Sequence, residues 1–153
     1  MSERALTHST APLRPGWIGW AILVLALAGL ILSAVSLVSH YKKSPTEYCD
    51  FNDNFNCDIV NRSVFSEIHG VPVAGVGVVG YLVLMALARL ARRRPWALLM
   101  AVAALIGFAF AAYLTYIETY VLVVWCVLCL GSQVAITLIL VLSVWQTVRL
   151  WRA

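Results

Sequence analysis

Four long apolar segments divide the chain, at about residues 17–39, 71–88, 96–117 and 120–145. A helix needs roughly 20 apolar residues to cross the hydrocarbon core of a bilayer. In lipid the backbone groups must be satisfied within each segment, which favours helices over open strands. The pattern therefore predicts an all-α membrane protein built as a four-transmembrane-helix bundle, with one polar loop over residues 40–70.

Composition agrees with this prediction and excludes an ordinary soluble domain. Of the 153 residues 62% are hydrophobic and 12% are charged, far from the balance of a soluble protein. The first apolar segment is longer than the about 7–15 residues of a signal-peptide core, so we expect it to be retained. We predict a disordered cytoplasmic leader at 1–16, a membrane domain at 17–148 and a short cytoplasmic tail at 149–153.

The basic residues predict the orientation. Four spans place both termini and the turn after the second span on one side, which carries Arg4, Arg14, Arg89, Arg92, Arg93, Arg94, Arg149 and Arg152. The other side has only Lys42, Lys43 and Arg62, together with six of the seven acidic residues. By the positive-inside rule the Arg-rich side is cytoplasmic. The net charge of +4 is then a topology signal, and it does not indicate nucleic-acid binding. We expect an inner membrane, or an equivalent one.

The second half of the polar loop predicts a short amphipathic helix that lies on the membrane face. Asn56 is the expected N-cap, with Cys57 in the first turn. Gly70 and Pro72 would end the segment before the second span. One side of this predicted helix is an apolar stripe that would face the bilayer. Its residues are Ile59, Val60, Val64 and Ile68.

Four cysteines carry the candidate chemistry, and the predicted topology places all of them at the extracytoplasmic face. Cys49 and Cys57 lie in the loop, and Cys126 and Cys129 form a Cys-x-x-Cys near the start of the fourth span. Such a pair can alternate between dithiol and disulfide, and disulfides persist outside the cytoplasm. The loop pair alone could be a permanent staple or an electron shuttle. The second pair favours the shuttle and predicts a membrane thiol–disulfide oxidoreductase.

Other polar residues of the membrane domain have less specific interpretations. Gln133 shares a helix face with the cysteine pair and could bind a quinone carbonyl or make an ordinary interhelical hydrogen bond. Glu118 is interpreted as part of the turn before the fourth span. From that turn, the pair would lie roughly 9–14 Å along the helix. No metal site is expected, because the cysteine spacings fit neither zinc nor iron–sulfur centres.

From Tyr48 to Gln133 the chain resembles the vitamin K epoxide reductase family. The matching features are Cys49, Cys57 after seven residues, Ser63 six residues further, a Gly-rich second span and Cys126-Val-Leu-Cys129. The resemblance implies a bundle around a quinone, with the loop helix as its cap. It also implies the roles of the thiols: Cys129 beside the quinone, Cys126 as its disulfide partner, Cys57 exchanging with Cys126, and Cys49 exchanging with an outside protein. Ser63 would lie by the quinone.

Two departures from that family favour its bacterial role over epoxide reduction. Gln133 occupies the position of a Tyr in members that act on vitamin K epoxide, and an Asn before the second span has no clear counterpart. We therefore expect oxidation of a secreted thioredoxin-like (DsbA-like) thiol oxidase in trans, with a ubiquinone, menaquinone or vitamin K type quinone as acceptor. The alternatives are a vitamin K quinone or epoxide reductase and, from another class, a four-span structural protein with a loop disulfide.

Overall fold

Four long helices account for most of the described chain, which in this computed structural model comprises residues 16–42, 49 and 52–152. They are α1 (Trp17–Tyr41), α3 (Val73–Leu90), α4 (Arg94–Ile117) and α5 (Val127–Arg152). A π-helical turn, Glu118–Leu122, continues α4. The described residues thus contain four helices long and apolar enough to cross a membrane, and the predicted all-α four-helix fold is confirmed. The predicted leader, apart from Gly16, lies outside the described residues.

The bundle is held together by close helix contacts around a small apolar core. Helix α1 packs against α3 and α5, and α4 packs mainly against α5. Ile22, Met100 and Ile139 are fully buried between them. A Cβ on Gly29 of α1 would overlap the ring of Tyr81 on α3, so glycine is required where these helices approach. Many large apolar side chains remain on the outer surface, as a bilayer-facing surface requires.

The bundle has two chemically different ends. The α3–α4 turn meets the end of α5, where the Gln146 amide donates to the Ala91 carbonyl oxygen at 2.9 Å. Six of the seven described arginines lie at this end: Arg89, Arg92, Arg93, Arg94, Arg149 and Arg152. At the opposite end lie the loop, the start of α5 and the described acidic residues. The cysteines therefore occupy the end of the bundle opposite these six arginines, and Arg62 of the loop is the one described arginine at the cysteine end.

The loop forms a more broken structure than the predicted helix. Asn56 is confirmed as the N-cap, because its Oδ1 accepts from the Ile59 N–H at 3.0 Å. Helix α2 then covers only Cys57–Asn61, and a 3₁₀ turn (Val64–Ser66) and a hairpin of β1 (Glu67–Ile68) and β2 (Val71–Pro72) follow. The prediction of one continuous helix from Cys57 to Ile68 is therefore wrong.

Serine side chains account for the break in the loop helix. The Ser63 hydroxyl donates to the Val60 carbonyl oxygen at 2.8 Å, and the Ser66 hydroxyl donates to the Ser63 carbonyl oxygen at 2.7 Å. Such bonds compete with helical backbone bonds. As a result the predicted apolar stripe is divided: Val60 packs against the cysteines, whereas Val64 is 88% exposed.

Helix α5 begins later than the hydropathy pattern predicts, at Val127 instead of Tyr120. Val123 adopts a left-handed conformation with φ of 53° and reverses the chain after the π-helical turn. The reversal is fixed by the loop: the Trp125 N–H donates to the Asn54 carbonyl oxygen at 2.8 Å, and the Asn56 N–H donates to the Trp125 carbonyl oxygen at 3.2 Å. Cys126 therefore lies directly before α5, and not roughly 9 Å along it as predicted.

Candidate functional site

Three of the four sulfurs form a continuous line inside the protein. Cys49 and Cys57 are joined by a disulfide, and the Cys57 Sγ lies 3.4 Å from the Cys126 Sγ. All three residues are buried. Thiol–disulfide exchange proceeds by attack of one sulfur on a disulfide sulfur, and reacting atoms about 3–3.5 Å apart are in near-attack range. The two cysteine pairs are therefore close enough for thiol–disulfide exchange without a large movement.

Local structure explains why these sulfurs meet. The Asn56 cap fixes Cys57 at the first position of α2, and the hydrogen bonds of Trp125 attach the loop to the residues just before α5. Cys126 then serves as a cap for α5, because its Sγ accepts the Cys129 N–H at 3.4 Å. Cys129 is free and partly exposed. The structure thus brings together all four predicted cysteines.

Glu118 belongs to this site, although the sequence pattern assigned it only to a turn. It is 2% exposed, and its Oε2 accepts the Cys126 N–H at 3.1 Å. The sequence contained a usable signal, since a carboxylate inside an apolar segment is costly and usually functional.

A cavity of about 480 Å³ lies between the helices and the loop, and Cys129 and Glu118 are on its wall. Most of the lining is apolar. Polar side chains line part of the wall and come from α1, the loop, α3 and α5. They include Ser36 and His40 of α1, Asn61, Ser63 and Ser66 of the loop, Tyr81 of α3 and Ser132 of α5. Cavities of about 300–1,000 Å³ with few polar groups are typical of small-molecule sites. Ser63 is placed on the wall, whereas Gln133 is not among the lining residues.

Asn61 is a second polar residue that the sequence reasoning missed. Its Oδ1 accepts the Ser36 hydroxyl at 2.7 Å, and its backbone carbonyl accepts from His40 Nδ1. The Nδ2 group, by contrast, is buried and has no hydrogen-bond partner. Because an unpaired buried donor is costly and Asn61 is a lining residue of the cavity, its amide is suited to pairing with a carbonyl oxygen of a bound molecule. Asn61 is four residues beyond Cys57, but no motif marked it.

These features define a four-helix membrane protein with two cysteine pairs in contact at one end of the bundle. The sequence model of the vitamin K epoxide reductase family matches residues 20–144. That match covers most of the chain and includes all four cysteines, so the chain belongs to the vitamin K epoxide reductase family. The protein is accordingly a multi-pass membrane thiol–disulfide oxidoreductase. Among the residues described here, no group of three or more His, Cys, Asp or Glu side chains could hold a metal ion.

Proposed function

We propose that this protein oxidises a thioredoxin-like protein on the extracytoplasmic side and passes the electrons to a membrane quinone. The observation that carries the proposal is the 3.4 Å contact between Cys57 and Cys126. A loop disulfide that served only as a staple would need no free cysteine against it. The contact therefore favours a relay over the structural alternative.

The relay consists of two exchanges and one oxidation. A dithiol of the partner reduces the Cys49–Cys57 disulfide and itself becomes a disulfide. The Cys57 sulfur then attacks Cys126 of an oxidised Cys126–Cys129 pair, and Cys49 restores the loop disulfide. This leaves both electrons on Cys126 and Cys129. That is the redox state of the structure, in which the loop pair is bonded and the inner pair is free.

The apolar cavity fits a quinone ring as the final acceptor. Cys129 is on its wall, and the unpaired Asn61 Nδ2 can donate to a quinone carbonyl oxygen. Ser63 is on the same wall, but its hydroxyl proton is already donated to Val60, so it would contribute an oxygen acceptor only. A quinone takes up two electrons and two protons, which equals what the Cys126–Cys129 dithiol releases. The candidate acceptors are quinones of the ubiquinone, menaquinone or vitamin K type.

The proposed partner is tested by trapping the thiol–disulfide exchange between Cys49 and that partner as a mixed disulfide. In Cys57→Ala, a mixed disulfide between Cys49 and an oxidised partner cannot be resolved by Cys57. We expect the variant to accumulate such an adduct with a thioredoxin-like protein in intact cells, and mass spectrometry will identify it. Cys49→Ala is the matched control and should give no adduct. Absence of the adduct from Cys57→Ala, or its presence in both variants, would contradict the proposed partner exchange.

Quinone reduction is tested separately with purified protein in lipid nanodiscs. The protein is reduced with dithiothreitol, desalted and mixed with one equivalent of a quinone. We expect one quinol to form for each disulfide that the protein gains, and by the proposed relay that disulfide passes from the inner pair to Cys49–Cys57. Reduction of vitamin K epoxide in the same assay would favour the reductase alternative. Thiols that remain reduced in the presence of every quinone type would exclude the quinone step.

A further inference from the structure

Glu118 is a buried carboxylate for which a purely structural role leaves much unexplained. It lies in the π-helical turn that continues α4 and is 2% exposed. Its hydrogen bond is with the Cys126 N–H, it lines the same cavity as Cys129, and no basic side chain of the described residues forms an ion pair with it. A buried carboxylate without a cationic partner is expensive. A glutamine at this position would supply the same acceptor for the Cys126 N–H at lower cost.

The reaction proposed above requires proton transfer at this position. Oxidation of the dithiol breaks the S–H bonds of Cys126 and Cys129, forms one S–S bond, and releases two electrons and two protons. A thiol inside an apolar cavity can lose its proton readily only to a base within hydrogen-bonding reach. Glu118 is the only carboxylate among the described residues that line this cavity together with Cys129, and its hydrogen bond to the Cys126 N–H places it beside the cysteine pair.

We propose that Glu118 accepts the proton of the Cys129 thiol during oxidation of the inner pair and delivers it to the quinone oxygen. This inference rests on the proposed function. The two electrons of the dithiol pass to the quinone, one proton travels through Glu118, and the proton of the Cys126 thiol completes the quinol. Glu118 is again a carboxylate after each turnover, so the step requires no further reagent.

Three variants separate proton transfer from a structural role. Glu118→Gln keeps an oxygen acceptor for the Cys126 N–H but cannot take up a proton. Glu118→Asp keeps the carboxylate on a shorter side chain. Asp53→Asn, at an exposed position of the loop, removes one negative charge elsewhere and is the control. Retention of the Cys49–Cys57 disulfide and of the unfolding temperature shows that each variant is folded.

The measurement is single-turnover quinone reduction by the pre-reduced protein in nanodiscs, from pH 6 to about pH 9. We expect Glu118→Gln to be slower by about 10²–10⁴-fold at neutral pH, with a rate that rises with pH as hydroxide replaces the missing base. The wild type should depend less on pH, Glu118→Asp should keep the wild-type pH profile, and Asp53→Asn should stay within about twofold of the wild type.

Two results would overturn the proposal while the proposed function stands. One is a Glu118→Gln rate within about threefold of the wild type. The other is a slow Glu118→Gln variant whose pH profile is that of the wild type, which would identify Glu118 as a structural support. A wild-type protein that reduces no quinone would instead refute the proposed function, and this inference with it.

Discussion

Replacement of Asn61 by alanine should weaken quinone binding and leave the transfer between cysteine pairs intact. The Asn61 Nδ2 is buried without a partner, so a quinone carbonyl that accepts from it relieves an unpaired donor. An unsatisfied buried donor costs about 1–3 kcal/mol. Since about 1.4 kcal/mol corresponds to a tenfold change in Kd, Asn61→Ala should raise the Kd by roughly 5- to 150-fold.

The assay is a quinone titration of steady-state turnover, with dithiothreitol as electron donor. The KM for quinone should rise, whereas the rate of exchange between Cys57 and Cys126 should stay close to that of the wild type. Ser36→Ala is the matched control: it removes the hydroxyl that holds the Asn61 oxygen but leaves the Nδ2 donor, so its effect on KM should be smaller. Equal KM values for Asn61→Ala and the wild type would refute the placement of the quinone carbonyl at Asn61.

Three further predictions test the relay and the loop. Cys126→Ala and Cys129→Ala should each abolish quinone reduction while the bundle still inserts, because helix packing holds it together; near wild-type activity of either variant would contradict the assignment. Cys49→Ala should block transfer from the protein partner but largely spare turnover with dithiothreitol, and an equal loss of both activities would disprove the relay order. Val60→Asp places a charge on the cavity wall, so it should slow quinone turnover far more than Val64→Asp, which alters an 88% exposed position. Equal loss of turnover in the two variants would show that Val60 does not face the quinone.

Much of the fold was predictable because lipid imposes one simple rule. A span must be long, apolar and helical, so four spans could be read from the sequence. The Asn56 cap was also predictable, because an Asn before an apolar run has a local signature. The prediction of one long loop helix failed because the point where the helix ends depends on the hydroxyl groups of Ser63 and Ser66. These hydroxyls donate to backbone carbonyl oxygens and so compete with helical hydrogen bonds.

The start of α5 could not be read from hydropathy. Residues 120–125 are apolar or aromatic, and nothing in them separates a helix from an irregular segment. The break is imposed by the loop, through hydrogen bonds between residues about 70 positions apart in the chain. The same tertiary effect assembles the site: the cysteine motifs predicted its thiols, but Glu118 and Asn61 join it only when the loop, α4 and α5 come together.

The attachment of the loop to the residues before α5 has a consequence for how this protein tolerates sequence change. The bonds that join Asn54 and Asn56 to Trp125 use main-chain N–H and carbonyl groups. A main-chain bond does not depend on which side chain its residue carries. Most substitutions at Asn54 and Trp125 should therefore leave the distance between the Cys57 and Cys126 sulfurs unchanged. Proline at position 125 is the exception, because it has no N–H to donate. Alanine scanning would thus overlook the element that sets the geometry of the relay.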